Sequence, residues 1–293
     1  MPIRNLSRLR RIACSPLLFA AIIPYGILTF SGASHAQQAP APVPPSVSYA
    51  RMADLVSASS AIATVKIRSV VALKPERAPD LQPGRARFYV EAEMQGLIRG
   101  DGVAARRISF LVDGSAANAR KPGLKGQIFL LFGRVGAQVN QFQLTSSTAI
   151  IPWSPANEAL TRSVLTQVMA QDVPPVITGI TSAFHVAGAI LGEGETQIFL
   201  QTANGTPISL SVIRRPDEET IFSASLGEIV DDSAAFPKKD TMLWYRLACG
   251  LPGSIPAPAL ADLDRNALTQ AREDYEAFRQ ALGHCDRTAT PIL

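Results

Sequence analysis

Between residues 61 and 145 the chain is a succession of strand-like apolar runs bounded by Gly, Pro or Asn, the two longest of which alternate apolar with polar positions. A period of two sends successive side chains to opposite faces of an extended backbone, so an alternating run has one buried and one solvated face. Residues 85–98 place Phe88, Val90, Ala92 and Met94 on one face and Arg87, Tyr89, Glu91 and Glu93 on the other. Residues 61–73 alternate apolar positions with Thr64, Lys66, Arg68 and Ser69, and runs at 107–113, 127–134 and 141–145 follow. Ahead of them, Ala50, Met52, Ala53, Leu55 and Val56 give residues 49–59 the stripe of a short helix. A helix and about five strands in so short a span predict a small barrel, whose closure hides strand edges.

The next stretch changes period. Residues 151–175 read as a bridging helix and linker: Ser154 can cap, Pro155 suits the first turn, and Leu160, Val164, Leu165 and Val168 recur at helical spacing. Pro174-Pro175 ends the helix. Residues 176–293 return to strands at 176–190, 197–202, 207–213, 220–230 and 242–248, with Asn204-Gly205 as a hairpin signal. This predicts an antiparallel sheet or small sandwich. At 262–282, Leu268, Ala271, Tyr275, Phe278 and Leu282 form the apolar stripe of an amphipathic helix, which Gly283 stops.

The order of elements in the first region carries a resemblance. A helix containing Ala53-Asp54-Leu55-Val56 leads into a long strand, a second long strand closes with Gly96-Leu97-Ile98-Arg99-Gly100, and the chain later reaches Gly126-Gln127-Ile128-Phe129-Leu130-Leu131-Phe132. Over residues 49–150 this resembles the OB-type barrel of netrin-like modules and tissue inhibitors of metalloproteinases, as found in many exported bacterial proteins. The resemblance implies a fold, and a fold does not imply a function. The animal inhibitors chelate the target's zinc through an N-terminal cysteine, which the expected mature start lacks. The fold class is therefore mainly β (α+β), an OB-like barrel at 49–150 followed by an antiparallel β region with a C-terminal amphipathic helix.

The first 36 residues have the layout of an export signal. Arg4, Arg8, Arg10 and Arg11 precede an apolar run at 12–30, and the small residues Ser34 and Ala36 precede a mature start at Gln37. The rival reading is a retained membrane anchor, although Pro16, Pro24 and Gly26 interrupt the run. Residues 37–48 are Pro-rich and uncharged, an extended linker. The localisation this implies is periplasmic or secreted, in a Gram-negative envelope. Membrane contact is then expected only through an uncleaved N-terminus.

Charge has to be read after that cleavage. The chain has 28 Lys+Arg against 24 Asp+Glu, and the four leader arginines account for the whole surplus. A neutral mature chain excludes a generally nucleic-acid-seeking protein, and nucleic acid is in any case scarce outside the cytoplasm. The two halves differ, however: the basic residues concentrate at 51–150 and the acidic ones at 151–293. Either the halves neutralise each other, or the basic half meets an anionic glycan or lipid. Arg85, Arg87, Arg106 and Arg107 are the candidate binding residues, with Phe88, Tyr89 and Phe110 as the aromatics nearby.

Two cysteines remain after the leader, Cys249 and Cys285. In an oxidising compartment an even pair becomes a disulfide, here tying an apolar strand to the end of the last helix. Without Cys-x-x-Cys spacing its role is structural, worth about 3–4 kcal/mol in the chain-entropy model. So few His and Cys cannot supply a multi-ligand metal site, and no cofactor motif is present. No Gly-x-Ser-x-Gly elbow marks a nucleophile, and Ser115, Ser146 and Ser225 lack nucleophile context. Asp231-Asp232 and Gly192-Glu193-Gly194-Glu195 read as turns. No catalytic residue is assigned. His185, inside a strand pattern, is the one candidate for a site assembled in space. The reading that results is a non-catalytic envelope binding or interaction protein, with a hydrolase using His185 as the alternative.

Overall fold

Ser48 sets the first helix: its side chain accepts the Arg51 N–H at 3.1 Å and caps helix α1 (Tyr49–Ser57), which buries Tyr49, Met52, Leu55 and Val56. The computed structural model describes residues 47–100, 105–138, 140–227 and 234–293. The expected leader at 1–36, all of the expected linker but Val47 and Ser48, and the Asp231-Asp232 pair lie outside the described residues.

Five strands follow α1: β1 (Ala61–Ala72), β2 (Arg85–Arg99), β3 (Arg107–Ser115), β4 (Ile128–Val135) and β5 (Phe142–Leu144). They form one sheet in the order β3-β2-β1-β4-β5, and a short β6 (Ile150–Pro152) pairs with β4. Register shifts at Ile62/Ala63, Thr64/Val65 and Ile67/Ser69 bend β1 against β2, and such bulges raise the local twist. The sheet curls until its edges meet. Ser109 of β3 bridges Gln141 beside β5, and its N–H donates to the Asn140 carbonyl at 2.8 Å. Ala63, Val65 and Ile67 of β1, Phe88, Val90 and Ala92 of β2, and Ile108, Phe110 and Val112 of β3 fill the curl. Leu293 closes one end, lodged where Gly114 has no side chain; a Cβ there would stand 2.4 Å from that of Leu293.

Helix α2 (Pro155–Val168) begins as its sequence requires, with Ser154 accepting the Asn157 N–H at 3.1 Å and Pro155 in the first turn. A second, four-stranded antiparallel sheet follows in the order β10-β9-β8-β7, from β7 (Ile177–Ala187), β8 (Gly194–Thr202), β9 (Ile208–Arg214) and β10 (Ile221–Ser225). At the Asn204-Gly205 turn only Gly205 takes positive φ, at 79°, and the loop runs from Thr202 to Ile208. The hairpin forms as expected with a longer loop than the two-residue type.

One expected strand is a helix. Residues 242–248 lie in α3 (Met242–Gly250), capped by Thr241, whose hydroxyl accepts the Trp244 N–H at 3.3 Å. A short continuous apolar run has no periodicity to separate a buried strand from a buried helix. The Thr cap and helix-forming Met, Leu, Arg and Ala decide it. The second sheet accordingly has four strands, and the disulfide joins helix to helix. Cys249 in α3 bonds Cys285 just past α4 (Arg265–Leu282), with Cα atoms 5.2 Å apart.

The described residues belong to one compact unit, and one core crosses the expected linker boundary. Ile62, Leu130 and Phe132 on the outer side of β1 and β4 share it with α1 and α2. Ile198, Leu210 and Val212 of the second sheet share it with Tyr275 and Phe278 of α4. The Tyr245 hydroxyl donates to Asp54 at 2.7 Å, and Arg287 pairs with the same carboxylate at 3.0 Å, so α3 and the segment after α4 are fastened to α1.

Candidate functional site

The outer face of the barrel follows directly from strand alternation. With Phe88, Val90 and Ala92 turned inward, Arg87, Tyr89, Glu91 and Glu93 of β2 must face out, and their β3 partners Asp113, Leu111, Ser109 and Arg107 face out with them. Two cavities open on this face, of about 980 Å³ and 590 Å³, and both include Tyr89 and Ser109. The larger reaches Arg68, Glu93, Arg106, Arg107 and Asn140, and the smaller reaches Leu111, Asp113, Gln141, Gln143 and Ser146. Together they make a groove across β2 and β3, continued by the loop before β5. Cavities of this size suit small or extended ligands.

Tyr89 and Leu111 in the groove continue into a cross-strand apolar row that Val71 extends beyond the cavity lining. Val71, Tyr89 and Leu111 are register neighbours on β1, β2 and β3, and they are 57%, 37% and 48% exposed. Phe88 and Phe110 are buried in the barrel, which leaves Tyr89 as the aromatic on this face among those named from the sequence.

The four candidate arginines do not form one cluster. Arg87 is paired with Asp113 on β3, while Glu93 is paired with Arg107; six residues separate Arg87 from Glu93, about 20 Å along the strand. Arg87 is committed to two carboxylates. It donates to Asp113 at 2.7 and 2.9 Å and to Asp80 at 3.0 and 3.1 Å. These bonds push the Arg87 guanidinium up from its ordinary value and hold the Asp80 carboxyl down. Arg106 shares Glu93 with Arg68, at 3.2 Å for Arg106. Arg85 donates to the Asp113 carbonyl at 3.1 Å, at the margin of the groove. Arg107 makes no hydrogen bond or ion pair with the described residues, and it lines the larger cavity.

His185 lies in a second polar cluster, which sequence reasoning left unassembled. Its Nδ1 is 2.9 Å from Thr196 Oγ1 on the neighbouring strand, and Thr196 in turn donates to Asp274 on α4. Asp274, only 1% exposed, also accepts from Arg214 Nε and from Gln270 at 3.0 Å. A carboxylate cannot donate, so the Thr196 proton is spent on Asp274 and the hydroxyl must accept from His185 Nδ1–H. That leaves His185 Nε2 as the free ring nitrogen, beside Gly194, where a Cβ would stand 3.2 Å from it. No Ser or Cys donates to that nitrogen among the described residues. The cluster joins β7, β8 and β9 to α4 through one buried carboxylate. The signal for Asp274 was present in the spacing: it falls three residues after Ala271 and four before Phe278, on the stripe that faces the core.

The β7–β8 hairpin that carries His185 ends in an apolar tip, with Ile190 exposed and Leu191 98% exposed. Among the described residues, no three His, Cys, Asp or Glu side chains gather in a group that could hold a metal ion. No helix of the described residues is long and apolar enough to cross a membrane. Comparison of the chain with protein-family models and with curated proteins finds no match in either.

Proposed function

We propose that the protein is a non-catalytic binding module of the bacterial envelope that holds its partner along the β2–β3 groove of the barrel. The observation that carries this reading is the continuous groove on the outer face of a curled six-stranded sheet. OB-type barrels bind extended ligands on that face, helped by the loops beside it. The composition of the first 36 residues supports export.

A photo-crosslinker at Leu111, inside the groove, and one at Arg162, on the solvated face of α2, test it in envelope extract at low salt. Capture of a discrete partner from position 111 and not from 162 is expected. Equal capture from both positions, or none from 111, overturns it.

The second reading is a hydrolase centred on His185, favoured by the Asp274–Thr196–His185 relay that leaves Nε2 as a positioned base. His185→Ala decides it: an esterase or amidase activity of the purified protein that survives this change rules the reading out.

A further inference from the structure

We infer that the groove takes an uncharged, hydroxyl-rich glycan chain and not a polyanion; this rests on the groove being the binding site. The groove is nearly balanced in charge. Arg68, Arg87, Arg106 and Arg107 line it together with Glu91, Glu93 and Asp113. Three of the four arginines are spent within the protein, Arg87 on Asp113 and Asp80, and Arg68 and Arg106 on Glu93. A polyanion would have to displace those carboxylates and would meet Glu91 at the centre of the face. Binding to a charged polymer draws its free energy from uncompensated cations, and here the four lining arginines face three lining carboxylates, with Asp80 on Arg87 as a fourth.

What the groove does present is neutral. Ser109, Asn140, Gln141, Gln143 and Ser146 offer hydroxyl and amide groups that both donate and accept, matching the dual character of sugar hydroxyls. The row Val71–Tyr89–Leu111 supplies an apolar strip three strands wide, about 10 Å, for the C–H face of a sugar ring. An extended peptide fits less well. It would add to the β3 edge, where the Ser109–Gln141 bridge and the Ser109 N–H bond to Asn140 already occupy the end nearest the larger cavity.

The test presents the full chain, as recovered from its host, with immobilised cellohexaose, maltohexaose and N-acetylchitohexaose, and with dextran sulfate as the polyanion. Binding of a neutral hexasaccharide is expected, with affinity changing less than about threefold between about 50 and 500 mM NaCl. Tyr89→Ala is expected to weaken it about tenfold or more, and Arg107→Ala by less than about twofold. Tyr89 is partly exposed, so its replacement leaves the barrel core intact, which an unchanged Tm verifies. Dextran sulfate binding that falls steeply with salt and is lost in Tyr89→Ala overturns the ligand class and leaves the groove as the site. Neutral glycan binding indifferent to both Tyr89→Ala and Leu111→Ser overturns the groove itself. Capture of a protein from position 111 without glycan binding overturns the glycan alone, and absence of all binding overturns both.

Discussion

Replacing Arg214 should destabilise the protein more than replacing Asp274, although the two form one pair. Asp274 is 1% exposed, whereas the Arg214 side chain keeps about a third of its surface in water, at 33%. Arg214→Ala strands a carboxylate in the core with only Thr196 and Gln270 left to donate to it. Losing one partner of a buried pair costs about 3–5 kcal/mol, and the upper part of that range applies here. Asp274→Ala strands a guanidinium that can turn to solvent, so its cost falls to about 2–3 kcal/mol, most of it the unmet Thr196 hydroxyl and lost packing. The double variant should show a coupling energy of about 1.5–3 kcal/mol. Urea unfolding followed through buried Trp244 measures all three. With m near 3 kcal/mol/M, the Arg214→Ala midpoint should fall by about 1 M or more at unchanged m. A smaller loss for Arg214→Ala than for Asp274→Ala refutes the reasoning, as does a loss under about 1 kcal/mol in both.

Two further outcomes follow from other parts of the fold. Replacing Cys249 and Cys285 together by Ser reopens a 36-residue separation, and the chain-entropy model puts the loss at about 3.8 kcal/mol, read as a lower urea midpoint; a loss below about 1 kcal/mol shows that core packing alone holds α3 to α4. The Glu158 carboxyl is held below its ordinary value of 4.5, first by the Trp153 indole N–H at 2.6 Å and then by Arg162. A depressed carboxyl contributes stability above its unfolded value and loses it as pH falls through the folded one. Trp153→Phe should therefore lower stability at neutral pH and flatten its decline below about pH 4.5, while parallel pH curves for the two proteins refute that assignment.

Strands β2 and β3 were legible in the sequence because each has one wet face, so alternation reports the fold directly, whereas β4, buried on both faces, was legible as a short apolar run with turn residues at its ends. The helices α1, α2 and α4 were legible from their caps and stripes. Residues 242–248 were not, because a segment buried on all sides loses its period and with it the distinction between helix and strand. The groove was half legible. Alternation placed Arg87 and Tyr89 on the outer face of β2 and Arg107 on that of β3. It carried no information on the ion pairs that occupy Arg68, Arg87 and Arg106, since Asp80 and Asp113 reach Arg87 from a loop and from another strand.

What the amino-acid order determined by itself is local: the alternation that makes strands, the Ser and Thr caps that start helices, and the two cysteines, Cys249 and Cys285, that form the disulfide. Only the tertiary structure decided which charges are spent and which remain available. It brought Asp274 on α4 to Thr196 and Arg214 on different strands, and it set Arg87 and Arg107 about 20 Å apart along one sheet face. The physical reason is range. Backbone geometry acts between near neighbours in the chain, whereas a buried charge is satisfied by whatever donor the packing brings to it.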